Sequence, residues 1–137
     1  MISIGALARK TGAKAATVRY YEQVGLLAPP ERTAGNQRRY AEGDVDRLRF
    51  ILHARHLGFS IGSIRDLLDL SEHPERPCQG ATRIAEEQLS AVRARIGRLR
   101  SLETELERIA SECSAETASD CYVLRALAEH PLNERYR

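Results

Sequence analysis

With 137 residues, 42% of them apolar, and a formal charge of +2, the chain has enough material for one compact domain, or a small domain plus an extended element, and chain-wide disorder is excluded. The charge is uneven: residues 1–57 hold ten Lys and Arg against five Asp and Glu, while residues 58–137 hold eleven against fourteen, so the first half carries the balance of a nucleic-acid footprint. No apolar run is long enough to cross a bilayer, and the start MISIGALARK lacks the pattern of an export signal, so a soluble, cytoplasmic protein with no membrane partner is expected.

In chain order, Ser3 precedes Ile4, Leu7 and Ala8 at helical spacing, and Thr11-Gly12 closes the run, which predicts a short helix capped at both ends. A second helix begins near Ala15, carries Val18, Arg19 and Tyr21, and stops at Gly25. Two short helices about a glycine turn make a helix-turn-helix, whose second member enters the major groove. The following LLAPPERTAGNQRRY predicts a small β-hairpin, or wing, tipped by Gly35-Asn36, with Arg32, Arg38 and Arg39 placed to meet phosphates. Residues 41–57 carry Val45, Leu48, Phe50, Ile51, Leu52 and Leu57 at helical spacing; Ser60 then starts a helix with Ile61, Ile64, Leu67 and Leu68 on one face, which ends before His73-Pro74.

After the EHPERP linker no proline occurs between Cys78 and Glu112, and Ala85, Leu89, Val92, Ile96, Leu99, Leu102, Leu106, Ile109 and Cys113 follow one another at steps of three or four. This is a narrow apolar seam flanked by Arg and Glu, the pattern of a two-stranded coiled coil. A single helix cannot hide such a stripe, and a homodimer covers it with the same stripe of a second copy.

The three cysteines, Cys78, Cys113 and Cys121, are an odd number without disulfide-scaffold spacing, so reduced thiols are expected. Cys78 and Cys113 stand 35 residues apart, about 50 Å along an α-helix. Two antiparallel helices would bring Cys78 of one chain beside Cys113 and Cys121 of the other. Each end of the dimer would then offer three thiolates, soft donors that select Cu(I), Zn(II), Cd(II), Hg(II) or Pb(II) over hard cations.

The strings IGALARKTG, TVRYYEQVGLL, PPERTAGNQRRY and HARHLGFSIGSIRDLL, with Cys78 and the 113–121 loop behind them, resemble the MerR family of bacterial transcription regulators. The resemblance implies a mainly α fold: a winged helix-turn-helix DNA-binding domain at residues 1–70, including a helix pair; a linker at 71–77; a long antiparallel coiled-coil dimerisation helix at 78–112; and a metal-binding loop with a short C-terminal helix at 113–137. By position it implies DNA contacts from Lys14, Thr17, Arg19 and Tyr21 on the recognition helix, and from Arg32, Gln37, Arg38, Arg39 and Tyr40 on the wing. Gln37 stands where the family usually has an aromatic residue, and Arg39 is an added basic one.

The resemblance further implies promoter DNA and RNA polymerase as partners. Repression without metal turns to activation when an ion binds and the dimer distorts the DNA. Family members that sense divalent ions have a cysteine where Cys78 stands, whereas the monovalent Cu(I), Ag(I) and Au(I) sensors have serine there. Cys78 thus points to a divalent soft metal ion, Hg, Cd, Pb or Zn, held by Cys78, Cys113 and Cys121 in a site shared between subunits. His73, His130, Glu116, Asp120 or water remains open as a fourth ligand. His53 and His56 suit packing or phosphate contact better than ligation. No histidine or acid is arranged to activate a cysteine, so no enzyme is expected; an iron–sulfur cluster would need four clustered cysteines, and a drug-sensing member would need a further ligand domain. The alternative of another class is a coiled-coil interaction protein without metal sensing.

Overall fold

The computed structural model describes residues 1–112 and 117–129. Its elements are α1 (Ile4–Thr11), α2 (Ala15–Gln23), β1 (Glu31–Arg32), β2 (Arg38–Arg39), α3 (Glu42–His56), α4 (Ile61–Ser71), α5 (Gln79–Ser111), a single 3₁₀ turn (Ala118–Asp120) and α6 (Tyr122–Glu129). The mainly helical order of helix-turn-helix, wing, helix pair and long helix is the expected one. The chain divides into two compact units, Met1–Gln88 and Leu89–Arg137.

Local chemistry sets the helix ends of the first unit. Ser3 accepts from the Ala6 amide at 3.1 Å and opens α1, and Gly12, at φ 79°, closes it in the left-handed region that a side chain disfavours. Ser60 does the same for α4, accepting from Ser63 N–H at 3.1 Å. Ala41 has no capping side chain, and Asp44 compensates by accepting from the Ala41 amide at 2.9 Å, which also puts a negative charge in the first turn of α3.

The hairpin is antiparallel, with Glu31 opposite Arg39 and Arg32 opposite Arg38. Its turn differs from expectation in detail. Asn36 N–H donates to Thr33 carbonyl at 2.8 Å, and Asn36 alone takes the left-handed conformation, at φ 64°; Gly35 does not need it. Asparagine tolerates that region because its short amide can bond locally. An isolated bridge not expected from the sequence adds to the hairpin: Ile2 and Tyr40 exchange both backbone hydrogen bonds at 2.8 Å, which ties the chain start to the end of the wing.

One core serves the first unit. Leu7, Val18, Tyr21, Leu26, Leu27, Tyr40, Val45, Leu48, Ile51, Ala54, Ile64 and Leu68 form it, so α1, α2, the wing, α3 and α4 share a single apolar cluster. Each fully buried aliphatic side chain contributes about 1.5–3 kcal/mol. In α3 the buried phase is Val45, Leu48, Ile51 and Ala54. Phe50 and Leu57, expected among the apolar positions, are 37% and 52% exposed, because the helical period from Leu48 and Ile51 turns them outward.

Arginines stitch the same unit together. Arg49 donates to the Lys10 carbonyl at 3.1 Å, Arg47 Nε to Leu26 at 2.6 Å and Arg65 to Val24 at 2.6 Å. These satisfy carbonyls at and beyond the ends of α1 and α2 and place cations where the helix dipoles favour them. Part of the basic excess is therefore structural.

The first turns of α5 complete the unit: Ile84 is buried, and Gln88 donates to the Leu57 carbonyl at 3.0 Å. Ile84 lies outside the apolar series as read from Ala85, which is itself exposed. In the second unit, Leu89, Val92, Ile96, Leu99 and Leu106 are all exposed, and Arg108 donates to the Tyr122 hydroxyl at 2.7 Å.

Two substitutions measure the core and its joint. Leu48→Ala is expected to lower unfolding free energy by roughly 2–5 kcal/mol. Gly58→Ala is expected to cost about 1–2 kcal/mol, because Gly58 has φ +87° and a β-carbon there would stand 2.5 Å from Gln88 Nε2. Urea midpoints of the two variants check both.

Candidate functional site

The basic surface is built on α2 and the wing. Val18 and Tyr21 anchor one side of α2 in the core, which leaves Arg19, Tyr20 and Gln23 exposed on the other. Of the residues expected at DNA, Lys14, Arg19, Arg32 and Gln37 are exposed, Thr17, Arg38 and Arg39 half-buried, and Tyr21 and Tyr40 buried. Tyr20, not among the residues expected at DNA, is 48% exposed, with its ring centroid 5.4 Å from that of Tyr21. A helical wheel anchored on Val18 carries the signal that finds it.

On the wing, Arg32 donates to the Asn36 carbonyl at 3.2 Å, across the turn. Arg39 donates to Gln37 Oε1 at 3.3 Å and to the Arg38 carbonyl at 3.0 Å. Arg32, Asn36, Gln37, Arg38 and Arg39, together with Ser3 and Ile4, line a shallow depression of about 380 Å³. Three guanidinium groups around one recess suit an anion.

Behind that recess Glu22 joins the wing to α2. The Tyr40 hydroxyl donates to Glu22 Oε1, and Arg38 Nε lies 3.3 Å from Glu22 Oε2. That second contact is an ion pair by distance but lacks hydrogen-bond geometry, and Arg38 Nε is buried without a hydrogen-bond partner. Burial first, and then the bond to Glu22, pushes the Tyr40 phenol above its ordinary value.

The thiols occupy two settings. Cys78 is exposed directly before α5, and its carbonyl accepts from Thr82 N–H at 3.1 Å. It lines a depression of about 370 Å³ together with Phe50, Leu67, Leu70, His73 and Ala81. His73 Nδ1 lies 3.4 Å from Glu75 and its Nε2 3.7 Å from Asp69. Cys121 is half-buried and follows the 3₁₀ turn, where its amide donates to Ala118 at 3.2 Å. Asp120 there receives a hydrogen bond from Thr117 at 3.4 Å. Cys113, Glu116 and His130 lie outside the described residues. Among the described residues no three His, Cys, Asp or Glu side chains gather to hold an ion. Beside the second setting, the Glu105 carboxylate and then the Tyr122 hydroxyl hold the Arg108 guanidinium above its ordinary value.

Residues 2–71 match the family model described as MerR HTH family regulatory protein, and residues 45–109 match that described as MerR, DNA binding. The HTH-type transcriptional regulator ZntR of Escherichia coli (strain K12) is 41% identical over 132 residues, covering 94% of each chain. The mercuric resistance operon regulatory protein of Serratia marcescens is 35% identical over 127 residues, covering 92% of this chain and 87% of that protein. Among solved structures, the transcription regulator PbrR691 from Ralstonia metallidurans CH34 in complex with lead(II) superposes with a TM-score of 0.82 at 37% identity, covering 93% of this chain and 99% of that one.

Tyr40 gives the site a pH signature. Its phenol is raised above the ordinary 10.0, so the folded chain keeps a proton that the unfolded chain releases above about pH 10. The stabilisation is present below that pH and is lost as pH rises further. Urea midpoints taken upward from about pH 9 are expected to fall more steeply for the wild-type chain than for Tyr40→Phe; parallel curves would contradict the Tyr40 contribution.

Proposed function

The chain belongs to the MerR family of helix-turn-helix regulatory proteins, which are DNA-binding transcription regulators, and from that premise we propose that it is a metal-responsive regulator of a metal-resistance promoter. Without metal it represses. With a divalent soft ion, Hg, Cd, Pb or Zn, bound by thiolates, it distorts the promoter DNA and allows RNA polymerase to start. In this reading residues 1–70 hold DNA, 71–77 link, 78–112 dimerise, and 113–137 complete the ion site.

The observation that carries the proposal is the position of Cys78, exposed and immediately ahead of one unbroken helix of 33 residues. At 1.5 Å per residue that helix is roughly 50 Å long, and Cys113 and Cys121 follow its other end. Two antiparallel copies bring Cys78 of one chain to Cys113 and Cys121 of its partner, and the exposed seam Leu89, Val92, Ile96, Leu99 and Leu106 supplies the apolar face that such a pair buries. Three thiolates suit a soft dication. The lead(II) complex of PbrR691 and the mercuric resistance regulator among the relatives support that class of ion. His73, which shares a depression with Cys78, or Asp120 would offer a further donor.

On the DNA side, Lys14, Arg19, Arg32 and Gln37 would contact the duplex from exposed positions, with Thr17, Arg38 and Arg39 beside them. Tyr21 and Tyr40 would act from the core, by fixing the recognition helix and the end of the wing.

Three substitutions separate the parts. Cys121→Ser is expected to abolish metal-induced transcription in a reporter assay while operator Kd moves by less than about twofold, because the DNA face is untouched. Arg19→Ala is expected to weaken operator binding by about tenfold or more while the reduced dimer still takes up about two ions, read from thiolate charge-transfer absorption. Cys78→Ser is expected to remove the response to dications. A wild-type chain that responds to Cu(I) but not to dications, with a response unchanged in Cys78→Ser, would place the chain with the monovalent sensors, and loss of operator affinity in Cys121→Ser would contradict the division of labour.

A further inference from the structure

Glu22 sits in the last turn of α2 with its side chain only 10% exposed. A carboxylate there meets the negative end of the helix dipole and loses most of its hydration, both of which cost stability. Two groups from the returning side of the wing compensate it: the Tyr40 hydroxyl on one oxygen and Arg38 Nε, at 3.3 Å, facing the other. Arg38 is thus held on one side by Glu22, while on the other it lines the recess formed with Arg32, Arg39, Ser3 and Ile4.

We propose that Glu22 is a positioning residue for DNA specificity: the ion pair with its carboxylate keeps the Arg38 guanidinium close against α2 and offsets part of its charge, so that Arg38 serves a phosphate only where the duplex is seated in the operator register. A freely swinging arginine strengthens binding to any DNA, because phosphate attraction carries no sequence information. An arginine tethered to the recognition helix couples the backbone contact to whatever that helix reads. The short link through Glu22 places both contacts on one rigid body, since Tyr40 and the residues beneath α2 belong to the same core. The inference rests on the proposed contact between Arg38 and a phosphate.

The test compares Kd for an operator duplex and for a scrambled duplex of the same length, across a salt series, for wild-type, Glu22→Gln, Arg38→Gln and the double variant of the full-length dimer. Glu22→Gln keeps the shape and an acceptor for Tyr40 but removes the charge. Its operator preference is expected to fall by about five- to tenfold, the scale of a single mismatched base pair. Its binding to the scrambled duplex is expected to strengthen and to become steeper in salt by about one phosphate contact. In the Arg38→Gln background Glu22→Gln should add nothing further. Equal effects on both duplexes, or the same effect of Glu22→Gln with and without Arg38, would overturn the inference and leave Glu22 a packing residue. If Arg38→Gln alone leaves operator binding unchanged, the phosphate contact itself fails, a distinguishable result. Should Glu22→Gln not fold, Arg38→Gln alone still decides: it must weaken the operator more than the scrambled duplex, and equal weakening would overturn the inference.

Discussion

An apolar stripe along a solvent-facing helix is the constraint from which the rest follows. Helix α5 continues unbroken from Gln79 to Ser111, and beyond its first turns the seam is exposed, with Leu99 at 57% and Leu106 at 64%. Large apolar side chains repeated on one face are costly to leave in water, and a second copy offers the same stripe in return. In the proposed antiparallel pair the thiol at the start of one helix would meet the thiols beyond the end of the other, and ion binding would then be a property of the pair, able to act on two DNA-binding units together.

The first unit is packed so that α5, α3 and α2 are mechanically continuous. Helix α5 enters it through Ile84, and Gln88 is tied to the carbonyl of Leu57 at the end of α3. Helix α3 in turn contributes Val45, Leu48, Ile51 and Ala54 to the core that also holds Val18 and Tyr21 of α2. A packed core transmits a shift because its side chains have few alternative arrangements. The wing is joined to α2 through Glu22 and to the chain start through the Ile2–Tyr40 pair. The basic surface on α2 and the wing is therefore one body, and under the proposed function a small change in how two such bodies face each other would bend or untwist the duplex they hold.

Much of this was legible in the sequence because it depends on near neighbours. Ser3, Gly12 and Ser60 mark helix ends through bonds reaching three or four residues, and the period of Ile64 and Leu68 fixes the inner face of α4. What escaped depends on distance along the chain. The Ile2–Tyr40 pair, the Glu22–Tyr40 bond and the arginines reaching back to Val24, Leu26 and Lys10 join segments 18 to 41 residues apart, and no local pattern announces them. Charge counting had the same blind spot: it registers a basic first half without separating Arg19, exposed on α2, from Arg47 and Arg49, which hold carbonyls of distant segments. For the proposed ion site, spacing named the three cysteines, and the structure supplies the exposed setting of Cys78 and the half-buried one of Cys121, whereas Cys113 lies outside the described residues.

Sharing of thiolates between chains is tested most directly with mixed dimers that pair a Cys78→Ser chain with a Cys121→Ser chain, titrated with Hg(II) or Pb(II) and followed by thiolate charge-transfer absorption. Neither parent homodimer keeps a complete three-sulfur set. If the sites are shared, the mixed dimer regains one intact set, and about one ion per dimer binds with the wild-type spectrum. A mixed dimer as deficient as its parents would contradict the shared site and, with it, the antiparallel pairing from which it follows.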